Sequence, residues 1–143
     1  MTGGAGADVF DYRGSVNWAA SGMDTLTNFA VGGSGNTRAL TNATGLARLN
    51  GDVLIFNLGD LQDVAGFTAG DFTLPAAGRF STLSATDLST TGAATQARAQ
   101  FVYDQDTGVM AFDADGTGLG EAVEIVTIGN RPALTTAELV LAG

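Results

Sequence analysis

Hydrophobic residues along this 143-residue chain fall in short runs, not on a helical stripe. No stretch keeps apolar residues at i, i+3, i+4 and i+7 over three turns. Short apolar segments bounded by Gly, Asn, Asp and Thr recur instead, which is how strands read. The candidate strands are Val9–Tyr12, Asp24–Phe29, Val53–Leu58, Gln100–Tyr103, Val109–Phe112 and Val123–Ile128. The pattern predicts an all-β domain. Between Ala30 and Asn50 the chain is rich in Gly, Asn, Thr and Ala with scattered Leu, and reads as a long loop or an insertion. Pro75–Ala97 has a similar texture, dominated by Ala, Thr and Ser.

Local signals punctuate the strands. Three segments place a hydroxyl residue three positions before an acid: Thr68/Asp71, Ser84/Asp87 and Thr135/Glu138. That is capping-box spacing, in which the hydroxyl accepts from a free amide and the acid reaches back. It predicts three one-turn helices at strand ends. From Ala99 to Ile128 the pattern predicts a three-strand meander. "DQDTG" (104–108) suits its first hairpin, with Gly108 in the left-handed position, and "DADGTGLG" (113–120) its looser second connection.

Composition narrows the chemistry. The chain has no Cys and no His, and its six cationic side chains are all Arg. Disulfides, thiolate metal sites and histidine general bases are therefore excluded. Acids outnumber Arg 15 to 6, for a net charge of -9. That balance argues against a nucleic-acid partner, which requires a basic footprint, and against anionic membrane surfaces. No apolar run approaches the roughly 18 residues of a membrane span, so no membrane insertion is expected. The first twenty residues lack a basic region followed by an apolar block, so export would have to be read from another part of the chain. Excess Asp suits hard cations, which prefer carboxylate and carbonyl oxygen; it also suits plain solubility.

One motif is specific. Residues 3–11, "GGAGADVFD", fit the nonapeptide G-G-x-G-x-D-x-U-x of calcium-binding β-roll repeats, with Phe10 as the large apolar residue. It is followed by "MDTLTNF", "GDVLIFNL", "FVYDQDTGVMAFDADGTG", "VEIVTIGNRPALT" and "ELVL". This order resembles the C-terminal region of RTX proteins, calcium-dependent type I secreted exoproteins of Gram-negative bacteria, and is similar to the cap that follows the β-roll in serralysin-like and hemolysin-type members. The likeness runs from Thr2 to Leu141. Two departures stand out. A single nonapeptide is present, and 21 residues separate Phe29 from Gly51. Within them "GGSGNT" begins like a second repeat, but Thr37 stands where the Asp ligand belongs.

The resemblance implies one rung of parallel β-roll (1–29), a loop or insertion (30–50), and an antiparallel β-sandwich-like cap with short helical turns (51–143). It also implies a secreted, extracellular location and a C-terminal signal around "ELVL" read by a type I secretion apparatus. Gly3, Gly4, Gly6 and Asp8 would supply half of a Ca2+ site. Calcium takes 6–8 oxygens, so the remaining ligands would come from an upstream β-roll or parent module, or from another copy through calcium-dependent self-association.

A second acidic pattern starts at Asp113. Positions 1, 3, 5, 6, 9 and 12 are Asp113, Asp115, Thr117, Gly118, Glu121 and Glu124, with the Leu119 carbonyl at position 7, the spacing of an EF-hand Ca2+ loop. Gly120 at position 8 and strand-like flanks run against that reading, and the RTX resemblance makes the same stretch an ordinary connection. Asp104 and Asp106 are not expected to join it, because the two connections of a meander lie at opposite ends of the shared strand, about 13 Å apart. Catalysis would need paired carboxylates such as Asp113 with Glu124, and no spacing here signals a glycosidase or a nucleophile. The expectation is a non-catalytic calcium-binding cap and secretion domain. The alternative is a structural subunit that assembles through its rungs into a filament or surface layer.

Overall fold

The computed structural model describes residues 1–14, 23–33, 50–68, 70–72, 75 and 79–143. The apolar runs become strands where expected: β1 (Val9–Asp11), β2 (Asp24–Leu26), β3 (Val53–Asn57), β6 (Gln100–Asp104), β7 (Val109–Asp113) and β8 (Val123–Ile128). Three further strands are β4 (Phe80–Thr82), β5 (Leu88–Ser89) and β9 (Leu139–Ala142). A five-residue helix, α1 (Leu58–Gln62), follows β3, where the Asn57 side chain accepts from the Gly59 amide and Leu58 and Leu61 turn inward. The fold is mainly β.

Two sheets form, in the orders β1-β3-β9-β4 and β2-β8-β7-β6-β5. The opening segment contributes one strand to each. β1 lies parallel to β3, with Val9 opposite Val53; β2 lies parallel to β8, with Asp24 opposite Val126. The chain thus passes from the first sheet to the second and back, and the return strand pairs in parallel, as a crossover connection dictates. The predicted meander is present, with β6–β7 and β7–β8 antiparallel and an irregularity between Met110 and Ala111. Gly108 closes its hairpin at φ 82°.

Parallel pairing reaches further than the antiparallel cap expected. β9 pairs in parallel with β3, and β5 with β6; outside the meander, only β4 on β9 is antiparallel among the described strands. Both sheets are therefore mixed. The physical reason is that β9 arrives from the opposite sheet through the Thr136–Glu138 turn instead of folding back as a hairpin.

The core lies between the sheets. Phe10, Leu54, Phe56, Leu139 and Leu141 from the first meet Leu26, Phe101, Tyr103, Met110, Phe112, Val126 and Ile128 from the second. Phe101 is its hub, with ring centroids 4.7 Å from Phe56 and 5.1 Å from Phe112. The opposite face of the first sheet carries a smaller buried cluster of Val53, Ile55, Val140 and Ala142. This period-two division between faces is what alternating side chains along a strand require.

Two predicted capping boxes are formed. Ser84 and Asp87 bracket a one-turn 3-10 helix, as do Thr135 and Glu138. At the third, the Asp71 amide does donate back to the Thr68 carbonyl, but the Asp71 carboxylate accepts from the Ala99 amide at 2.9 Å. That acid is spent on a neighbouring segment. The ends of the expected insertion meet: the Asp52 amide donates to the Ala30 carbonyl at 2.7 Å, and Gly51 packs directly on the Gly32 backbone. Thr37 and the rest of 34–49 lie outside the described residues.

Candidate functional site

The opening glycines build a turn around one carboxylate. Gly4 and Gly6 take φ values of 96° and 112°, the left-handed side that glycine occupies without strain. The turn curls back until Gly3 lies against Asp8. A Cβ at position 3 would sit 2.5 Å from Asp8 Oδ2, so only glycine fits there. Asn28, just past β2, holds the turn from the other side. Its Oδ1 accepts from the Gly3 amide at 3.2 Å and its Nδ2 donates to the Gly4 carbonyl at 3.0 Å. Met1 runs alongside β2, its amino group donating to the Thr25 carbonyl at 2.6 Å.

Asp8 is set from below by Asp52, the residue before β3. Asp52 is 1% exposed. Its Oδ1 accepts from the Asp8 amide at 2.9 Å and its Oδ2 from the Ala30 amide at 3.0 Å. The Asp8 carbonyl in turn accepts from Val53 at 3.0 Å. With its backbone locked on both sides, Asp8 carries a buried Oδ2 that has no hydrogen-bond partner. A buried carboxylate oxygen left unpaired is costly unless a ligand compensates it. The residues thus fit a calcium half-site: one anionic oxygen in a turn whose backbone comes close because it lacks side chains. A full shell of 6–8 oxygens needs donors from outside the turn.

The second acidic stretch is arranged differently. Asp113 ends β7 and is 7% exposed, with Oδ1 buried and unpartnered. The Asp115 carboxyl is its neighbour two residues along the chain. Burial, and then this neighbour, push the Asp113 carboxyl above its usual range, with the Gly116 amide working in the opposite sense. Asp115 folds back into its own turn, Oδ2 accepting from the Gly120 amide at 3.0 Å. Thr117, Leu119, Glu121 and Glu124 are exposed, and Glu124 stands on β8 opposite Ala111. Among the described residues no group of three acidic side chains converges. The structure therefore leaves Gly118 packed on the Asp115 carboxylate and does not bring Glu121 or Glu124 into a common group with Asp113 and Asp115.

Asp104 and Asp106 sit at the far end of β7, as expected. Asp104 Oδ1 accepts from the Asp106 amide at 2.9 Å. The Thr107 hydroxyl and that amide hold its carboxyl below the ordinary range, as in a tight polar turn.

Asn28 and Asp52 escaped the sequence reading. Asn28 follows a strand without turn residues beside it. The lone acid at the head of a buried five-residue strand was the available sign for Asp52, because an acid there needs a partner. Compared with known proteins, the chain matches no family model, no curated protein and no solved structure.

Proposed function

We propose that this chain is the calcium-binding, non-catalytic C-terminal cap and type I secretion domain of an RTX exoprotein. The observation that carries the reading is the partnerless, buried Oδ2 of Asp8 against Gly3, within the one stretch that fits the nonapeptide. Its physical work is to couple folding to calcium. In the cytosol, where calcium is scarce, net charge opposes compaction and the chain stays competent for export. Outside, calcium binds the folded turn and its binding energy adds to folding. An upstream rung supplies the remaining ligands and finds an outermost strand in each sheet, β1 and β2, on which to continue.

Calcium at about ten times its dissociation constant then adds roughly 1.4 kcal/mol to stability, a rise in Tm of roughly 5 °C for a domain of this size. Magnesium at equal concentration gives a smaller rise, because it demands octahedral geometry and keeps its water. Asp8→Ala keeps the fold, since its carboxylate oxygen Oδ2 holds nothing in place, and loses this part of the response. Melting curves that are identical in calcium and in chelator would remove the reading for this chain.

The same outermost strands favour one rival, a structural subunit that assembles through its rungs. A cap blocks growth on one side, so light scattering is expected to find monomer in chelator and at most a dimer in calcium. Long calcium-dependent polymers that vanish in Asp8→Ala would transfer the assignment to the structural reading.

A further inference from the structure

We infer that the turn from Asp113 to Gly120 is a separate, self-contained cation site, built on the carboxylates of Asp113 and Asp115 and suited to calcium. The inference does not rest on the RTX reading. It starts from an unusual placement. Asp113 ends β7 and Asp115 follows two residues later, and Asp113 is more than nine-tenths buried with an oxygen that has no hydrogen-bond partner. Two neighbouring carboxylates repel one another, and a buried unpaired oxygen forfeits its hydration. Among the described residues no Arg is bonded to either: Arg98 pairs with Asp87 and Arg13 with Asp11, while the Arg131 guanidinium donates to the Asp106 carbonyl at the far end of β7. Among the described residues no cation neutralises the pair, and a bound divalent ion does so directly.

The turn is shaped for this. Asp115 is held by the Gly120 amide, and Gly118 and Gly120 pack so closely on its carboxylate that a side chain at either position would strike it. Asp115 is therefore fixed, while the buried Asp113 Oδ1 has no hydrogen-bond partner among the described residues. Thr117 to Glu121 are exposed, which gives solvent access for water ligands. Calcium suits the site better than magnesium. To reach a buried oxygen the ion must shed part of its hydration shell, and magnesium does so reluctantly. The site is smaller than an EF-hand: Glu121 and Glu124 are not required.

The test is calcium titration by calorimetry on the full chain carrying Asp8→Ala, which silences the opening turn. One calcium event is expected to remain. Adding Asp113→Asn or Asp115→Asn removes it, whereas adding Glu124→Gln leaves it in place. Melting provides the second measurement. In chelator, Asp113→Asn is expected to melt no lower than its parent, because it relieves the repulsion between two neighbouring acids; in calcium it loses the parent's rise, so the order of the two reverses. Absence of any calcium event in the Asp8→Ala chain overturns the inference, as does an event that survives both Asn substitutions. An Asp113→Asn chain that melts lower in chelator yet keeps its calcium rise means that Asp113 is purely structural, and also overturns it. The opening half-site is judged separately, by what Asp8→Ala itself removes from the parent chain.

Discussion

Deleting residues 134–143 is expected to yield a chain that does not fold at any calcium concentration. The segment carries β9, which is an inner strand, parallel to β3 on one side and antiparallel to β4 on the other. Leu139, Val140 and Leu141 are each at most 1% exposed and line both faces of the first sheet. Burying three such side chains is worth about 5–9 kcal/mol, comparable with the roughly 5–15 kcal/mol that holds a whole domain together. The deletion also removes Glu138, 0% exposed, whose Oε1 accepts from the Gly33 amide at 2.7 Å and whose Oε2 accepts from the Thr135 amide and hydroxyl. Circular dichroism in saturating calcium should show no cooperative melting transition; a sharp one would mean that β9 is dispensable. The same truncation bears on export only alongside a control, because under the proposed function the signal is read before the chain folds. Leu54→Asp breaks the core without touching residues 134–143. It should still leave the cell through a type I apparatus, while the truncated chain should not. Equal export of both would detach the secretion signal from this segment.

What the sequence made legible follows the range of the forces involved. The six strands with clear apolar runs, the meander and two of the three capping boxes depend on neighbours within a few residues, and they form as expected. The turn around Asp8 is legible for the same reason: Gly3, Gly4, Gly6 and Asp8 act on each other within one loop. β4, β5 and β9 were harder. They have three, two and four residues, too few for alternation to declare itself, and "ELVL" reads as a capping turn just as well as a strand. The mixed sheets were not legible, because β3 pairs with a strand more than eighty residues later in the chain. The long-range bonds of the buried acids were missed on similar grounds, although Glu138 forms its expected capping box with Thr135. Asp52 and Glu138 accept from amides of Asp8, Ala30 and Gly33, and no local spacing links an acid to a distant backbone donor. Asp71 is the converse case: its spacing from Thr68 was right, and a remote amide, that of Ala99, claimed its carboxylate. The EF-hand-like spacing after Asp113 was regular in sequence, but β8 begins at Val123 and carries Glu124 into an exposed strand position.

Asp52→Ala is expected to cost about 2–6 kcal/mol, because two part-buried amides lose their acceptor at about 1–3 kcal/mol each. The backbone bond from residue 52 to the Ala30 carbonyl survives, so the loss reports on the carboxylate alone. Asp52→Asn keeps one acceptor oxygen and should fall between parent and alanine. The functional consequence reaches beyond stability. The Asp8 amide is one of the two backbone groups that fix the opening turn against β3; the other is the Asp8 carbonyl, which accepts from Val53. With the amide released, the Asp8 carboxylate is no longer held against Gly3, and ordering it has to be supplied by the ion that binds it. Calcium affinity at the opening turn should therefore fall in Asp52→Ala even though every proposed ligand is still present, which makes Asp52 a positioning residue. Thermal melting in chelator measures the first effect and calcium titration the second. An Asp52→Ala chain within about 0.5 kcal/mol of the parent, the range of an ordinary surface substitution, would mean that water replaces the carboxylate at both amides. A large loss of stability with calcium affinity unchanged would mean that the glycine turn orders Asp8 by itself, through Gly3 and Asn28, and that Asp52 serves only the junction with Ala30.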